Sequence, residues 1–222
     1  MNSSTRVVEM RFRDRVDAGQ RLADQLKDLR SAEPVVLALP RGGVPIGVEV
    51  ARVLQAPLEV FVARKIGAPQ HPEFGIGAIA EGDVVVADRS ATKLLGLTDE
   101  QFDQLAAEER RELQRRVQHY RGDRTLPDLN DRTVILVDDG LATGVTAEAA
   151  LTTLRARHPR RLLLAAPACA RETATRLGAI ADEVRCVLSP SDFYAVGQWY
   201  VEFGQITDEE VLDLLAAAHR GT

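Results

Sequence analysis

The sequence predicts an α/β fold: a single domain built on a parallel sheet flanked by helices, with a small hood element at its C-terminal end. Three observations carry this. Short apolar runs alternate along the chain with stretches of helical periodicity. Those runs are apolar at successive positions rather than at every second one, so both faces of each strand need cover, as in the parallel sheets of α/β proteins. No internal repeat and no linker divides the 222 residues, a length that one domain can hold. The expected core spans about 10–190, and residues 191–222 form the hood and a terminal helix.

Asp14–Arg30 comes first, with Val16, Ala23, Leu26 and Leu29 at helical spacing and Ser31 to Pro34 as its stop. Pro34–Leu39 is a buried strand, broken by Pro40-Arg41-Gly42-Gly43. Val44–Leu54 is helical, since Pro45 is tolerated in a first turn. Leu58–Ala63 is a second strand. Gly67–Gly82 is a long Gly/Pro-rich segment with a short strand at Ile76–Ala80, and Val84–Ala87 is another β run. Thr98 and Gln101 form a capping box for a helix from Asp99 to about Arg121, with Phe102, Leu105, Leu113, Val117 and Tyr120 as its apolar stripe and Gly122 as its stop. Thr133–Val137 is a β-branched strand, and Gly144–Arg157 is helical. Leu162–Ala165 is a strand, Arg171–Leu177 a short helix and Val184–Leu188 a strand. Thr207, with Glu210 three residues on, caps a final helix to His219.

Composition excludes several classes of function. A chain that is 45% apolar and 27% charged is an ordinary globular protein. Its net charge of −5 offers no basic excess for nucleic acid or a membrane surface. The pairs Arg110–Arg111 and Arg115–Arg116 alternate with acids and read as a solvated helix face. The stretch Leu162–Ala170 is too short to span a bilayer, and Met1–Asp14 lacks the apolar core of a signal peptide, so a cytoplasmic protein is expected. Cys169 and Cys186 lie in apolar surroundings without metal or redox spacing. They are expected to be buried small hydrophobes, not a bridge or ligands.

The chemistry concentrates in Val134-Ile-Leu-Val-Asp-Asp-Gly-Leu-Ala-Thr-Gly-Val-Thr146. An apolar strand ends in two carboxylates, then a loop of small residues, then the start of a helix. The carboxyl ends of parallel strands line the ligand crevice of such sheets. The loop can turn backbone N–H groups and two hydroxyls on one anion, and the helix adds its positive end. The acids suit sugar hydroxyls, met directly or through Mg²⁺, which favours oxygen ligands. Phosphate at one end and vicinal hydroxyls at the other describe a ribose 5-phosphate.

This segment resembles the fingerprint of the type I phosphoribosyltransferases: apolar strand, two acids, small residues, Thr-Gly-x-Thr. The resemblance spans roughly residues 10–215. It implies that fold, the donor 5-phosphoribosyl-1-pyrophosphate (PRPP), Mg²⁺ as cofactor and a homodimer. It implies that Asp138 and Asp139 meet the ribose hydroxyls or its Mg²⁺, and that Gly140, Leu141, Ala142, Thr143, Gly144, Val145 and Thr146 hold the ribose 5′-phosphate. Arg41, Gly42 and Gly43 resemble the pyrophosphate loop of the family. Arg64 and Lys65 are similar to a basic pair that serves pyrophosphate in adenine phosphoribosyltransferases. Gly67–Gly82 falls where the family has a mobile active-site loop. Gly67, Gly75, Gly77 and Gly82 would be its hinges, and His71, Glu73 and Phe74 candidates to meet substrate.

The acceptor is less determined. Phe193, Tyr194 and Trp199, in an aromatic cluster that runs to Phe203, are candidates to stack on a flat acceptor; plain packing is the alternative. Ala142 departs from the 6-oxopurine enzymes, which carry an aspartate base there, and this argues against hypoxanthine or guanine. The expected reaction is displacement of pyrophosphate at ribose C1 by a nitrogen acceptor. Arg41, Arg64, Lys65 and Mg²⁺ would stabilise the departing pyrophosphate, and no covalent nucleophile is assigned. The alternative is a non-catalytic regulatory protein that senses a phosphoribosyl ligand or a nucleotide.

Overall fold

A computed structural model describes residues 11–220, apart from the side chain of Glu73. The order of elements is helix α1 (Arg15–Leu26), a 3-10 turn (Lys27–Ala32), strand β1 (Val35–Ala38), α2 (Gly43–Leu54), β2 (Leu58–Val60), β3 (Ala63–Ala68), β4 (His71–Ala80) and β5 (Val84–Ala87). Next come α3 (Arg89–Leu94), α4 (Asp99–Arg121), β6 (Thr133–Val137), α5 (Val145–Arg155), β7 (Arg161–Ala168), α6 (Arg171–Leu177), β8 (Glu183–Leu188), a 3-10 turn (Val196–Trp199) and α7 (Asp208–Arg220).

Five strands form one parallel sheet in the order β2-β1-β6-β7-β8. Every residue of β1 and β6 is buried, as runs apolar on both faces require. The first three strands therefore end side by side, with Ala38 paired to Val60 and to Val137. The loops after β1 and β6 emerge as neighbours at that edge.

Gly67–Gly82 is not an open loop. Strands β3, β4 and β5 form a separate antiparallel sheet, and β3 turns into β4 across Pro69 and Gln70 alone. Two of the glycines that read as hinges, Gly67 and Gly77, serve close packing instead. A Cβ on Gly77 would lie 2.5 Å from the Val86 carbonyl oxygen and 2.9 Å from the Phe102 ring, and one on Gly67 would lie 2.4 Å from the Pro72 carbonyl oxygen. The expected strand Leu58–Ala63 is likewise divided. Phe61 donates back to Ala38, whereas Val62 bonds to Glu81 at the far end of β4. Buried Glu81 also pairs with buried Arg121, the last residue of α4.

Helix α4 starts on the expected capping box, with Thr98 Oγ1 accepting from the Gln101 N–H and the Gln101 side chain accepting from the Thr98 N–H. Replacing a capping hydroxyl costs about 1 kcal/mol. Thr98→Ala should thus lower the melting temperature by about 2–4 °C at this chain size; an unchanged melting curve would show that α4 is held by its packed face alone.

The cysteine expectation is overturned. Cys169 and Cys186 form a disulfide, with Cα atoms 6.0 Å apart. Strands β7 and β8 are paired neighbours, and Cys169 follows β7 where its N–H bonds to Leu188 of β8. The two lie 17 positions apart in sequence, so their meeting depends on strand pairing that no local spacing announces. Among the described residues, no helix is long and apolar enough to cross a membrane.

Candidate functional site

The loops after β1 and β6 meet around a cavity of about 660 Å³. Leu39–Gly42 and Asp138–Asp139 line it, with Arg64 and Lys65 of β3, Thr146 at the start of α5, and Leu105, Glu108, Glu109 and Arg116 of α4.

The loop 138–146 is built to leave donors free. Gly144 precedes α5 in the left-handed region at φ 68° and offers no capping side chain. The first N–H groups of α5 therefore have no partner within the helix, and they mark the end where an anion is favoured. The loop itself is held from behind. Leu141 donates to Ala168 and accepts from Ala170, both at 2.8 Å. Thr173 Oγ1 of α6 donates to the Ala142 carbonyl at 2.5 Å, and Arg176 donates to that of Thr143. Sequence reading missed Thr173 and Arg176, because a helix that supports a loop from behind carries no motif of its own.

The two acids are unequal. Asp138 Oδ1 accepts the Asp139 N–H at 2.8 Å. Burial, reinforced by the charge of Asp139, pushes the Asp138 carboxyl well above the ordinary carboxylate range. Burial also raises Asp139, but Arg15 opposes it with charge and hydrogen bonds. Arg15 Nε and Nη2 both reach Asp139 Oδ2, at 3.0 and 2.9 Å. Its Nη1 donates to Gly204 at 2.8 Å, and its guanidinium lies 4.0 Å from the centre of the Phe203 ring. Tyr200 completes this support by donating to the Asp139 carbonyl at 2.6 Å. Arg15 had no sequence signal as a site residue, since it lies 124 positions from its partner.

The Pro40–Gly43 turn packs directly on this pair, and the Pro40–Arg41 peptide is cis. A Cβ on Gly42 would lie 1.9 Å from Asp139 Oδ2. One on Gly43 would lie 2.7 Å from the Val137 carbonyl oxygen. Glycine is thus demanded here by the approach of β6 and its acids.

The cations near this loop are held by carboxylates. Arg41 Nη1 lies 3.6 Å from Asp208, the first residue of α7. Asp208 also accepts from Tyr120 at 2.5 Å. That bond, with the charges of Arg41 and Arg116, holds Asp208 below its ordinary range, while burial and the Asp208 bond push Tyr120 up to about 12. Arg64 Nε donates to Glu109 at 2.6 Å, and Arg64 Nη1 lies 3.7 Å from Glu112. Arg116 corrects the view of the α4 arginines as wholly solvated, because it lines the cavity.

The remaining candidates lie elsewhere. His71 and Phe74 are exposed on β4, and the side chain of Glu73 lies outside the described residues. Phe193 and Trp199 stack on each other at 5.8 Å and pack against the buried core. Tyr194 is 87% exposed, and none of these three lines the cavity. Val196 of the same segment sits on the loop, since a Cβ on Gly140 would come within 2.5 Å of it.

Residues 12–203 match the family model described as "Phosphoribosyl transferase domain". A Mycobacterium tuberculosis protein named "Putative phosphoribosyl transferase Rv0571c" is 44% identical over 209 residues, which is 94% of this chain and 47% of that protein. The chain thus spans about half the length of the curated relatives it matches. The crystal structure of TT1426 from Thermus thermophilus is 44% identical, with a TM-score of 0.78 over 94% of this chain and 99% of that one.

Proposed function

Since this chain belongs to the phosphoribosyl transferase domain family, we propose that it binds PRPP in the cavity between the β1 and β6 loops and transfers the phosphoribosyl group to a nitrogen acceptor. The observation that carries this reading is the convergence of three features on one cavity: the uncapped start of α5, the acids Asp138 and Asp139, and the Arg41 turn. The 5′-phosphate would lie against the N–H groups after Gly144. The ribose hydroxyls would meet Asp138 and the free oxygen of Asp139, and the pyrophosphate would face Arg41, Arg64 and Lys65.

The charges of the cavity speak for Mg²⁺. Its cations Arg41, Arg64, Lys65 and Arg116 are matched by the acids Glu108, Glu109, Asp138 and Asp139. Acids interleaved with the cations limit the attraction of the lining for a polyanion, and a divalent ion accompanying the ligand would offset this. Among the described residues, no cluster of three or more His, Cys, Asp or Glu is arranged to hold a metal. The oxygen donors Asp138 and Asp139 suit a hard cation such as Mg²⁺, which they would hold directly or through water. When bound, the ion would neutralise charge on the departing pyrophosphate.

In the reaction the C1–O bond to pyrophosphate breaks and a C1–N bond forms. The proton lost from nitrogen passes to solvent or to the pyrophosphate. The chain's own part is to position the donor and to stabilise charge on the leaving oxygen through Arg41, Arg64 and Lys65. Ala142 can take no proton, which speaks against 6-oxopurine acceptors.

Calorimetry with PRPP and Mg²⁺ tests the donor site. Asp138→Asn keeps an acceptor for the Asp139 N–H and leaves the Arg15–Asp139 pair intact. Losing a hydrogen bond to a charged group should weaken donor binding about tenfold or more. Undiminished affinity would remove Asp138 from the site. A screen of nucleobases and small amines for pyrophosphate release then tests transfer. Tight donor binding with no turnover would leave a ligand-sensing protein instead.

A further inference from the structure

Helix α4 turns two adjacent stripes inward. Phe102, Ala106, Leu113 and Tyr120 are buried and hold the helix to the body of the protein. Leu105, Glu109, Glu112 and Arg116, at spacings of four, three and four, form the next stripe around the helix. Leu105, Glu109 and Arg116 of that stripe line the donor cavity. Packing alone does not explain charged residues there.

Arg116 is the informative member. Its side chain is 24% exposed, against 58% for Arg115, although both pair with Glu112. Arg116 Nε donates to Glu112 Oε1 at 3.0 Å. This bond engages Nε, and among the described residues the terminal nitrogens make no hydrogen bond. Arg41 and Arg116 also act on one group, since the positive charge of each holds Asp208 down beside the Tyr120 bond. The guanidinium of Arg116 therefore belongs to the neighbourhood of the Arg41 turn.

We propose that Arg116 is a pyrophosphate-binding residue, supplied to the donor cavity by helix α4 from outside the strand-end loops. The proposal rests on the donor reading above. The carboxylates of Glu109, Glu112 and Asp208 pair with Arg64, Arg116 and Arg41, and oxygens of a bound pyrophosphate compete with them for these guanidiniums. A planar guanidinium suits this role, because its fork matches two phosphate oxygens at once.

The test uses the full chain and two probes, inorganic pyrophosphate with Mg²⁺ and ribose 5-phosphate, titrated by calorimetry. Arg116→Gln should weaken pyrophosphate about tenfold or more, the effect of a lost charge-assisted bond, and leave ribose 5-phosphate unchanged. Arg116→Lys should recover only part of the loss. Arg115→Gln removes the same charge and another Glu112 partner from the exposed side, and should change neither probe. Equal pyrophosphate affinity in wild type and Arg116→Gln, with ribose 5-phosphate still bound, overturns the proposal and leaves the donor reading standing. An equal loss in Arg115→Gln also overturns it, because the effect would then be net charge alone. Failure of wild type to bind ribose 5-phosphate refutes the donor reading, and this proposal with it.

Discussion

Gly42→Ala is expected to lose donor binding while the sheet still forms. The new methyl carbon would sit 1.9 Å from Asp139 Oδ2 and 2.5 Å from its Cγ. A flexible side chain could swing away from such a contact. Asp139 cannot do so freely, because two nitrogens of Arg15 hold the same oxygen and Tyr200 holds its backbone. The strain must move either the Arg41 turn or the acid, and both belong to the proposed donor site. Overpacking of this kind costs about 1–3 kcal/mol, which is about 5- to 150-fold if it falls on binding. Calorimetry with PRPP and Mg²⁺, beside circular dichroism, separates the outcomes. Wild-type affinity in a folded Gly42→Ala protein would mean that the turn and the acids do not share a ligand.

Arg15→Ala should produce the largest loss of stability among single changes at the site. Both partners of the pair are nearly enclosed, with side chains 10% and 16% exposed. Removing the cation strands Asp139 in a place where burial already raises its pKa. Breaking a pair of this type costs about 3 kcal/mol or more, or about 6–12 °C in melting temperature at this size. The pH dependence has a definite sign. Without Arg15 the folded pKa of Asp139 rises further above its unfolded value. The folded state then holds a proton that the unfolded state has released, and stability falls as pH rises through that interval. The deficit of Arg15→Ala should therefore be larger at neutral pH than at mildly acidic pH. Urea melts at the two pH values check this. Adding Asp139→Asn should return part of the loss, since no stranded charge remains. Equal deficits at both pH values, with no recovery in the double variant, would mean that Arg15 acts through its contacts with Phe203 and Gly204 and not through Asp139.

The parallel sheet was legible because its evidence is local. Thr133–Val137 and Pro34–Leu39 are apolar in succession, and Thr98 and Gln101 announce a helix start within four residues. The loop 138–146 was legible for the same reason, as the acids, the small residues and the helix start are contiguous. What escaped depends on tertiary approach. The glycines of 67–82 fit an open loop equally well until the Phe102 ring and the Val86 carbonyl are placed against Gly77. Cys169 and Cys186 became a bridge only through the pairing of β7 and β8. Arg15, Thr173 and Arg116 lie on helices whose periodicity reports burial and says nothing of what the other face meets.

The support of Asp139 has a consequence for how the protein is made. Phe12 bonds to Trp199 and Val201 along the backbone, and Arg15 reaches Gly204 across 189 positions. Strand β1 can pair with β2 early in synthesis, but Asp139 gains Tyr200 and the fixed Arg15 only after residues 199–204 have left the ribosome. Contacts this distant in sequence form late, after long loops have closed. On a nascent chain Asp138 and Asp139 would therefore exist before their clamp does, and the pair would be fixed only once residues 199–204 have joined Arg15.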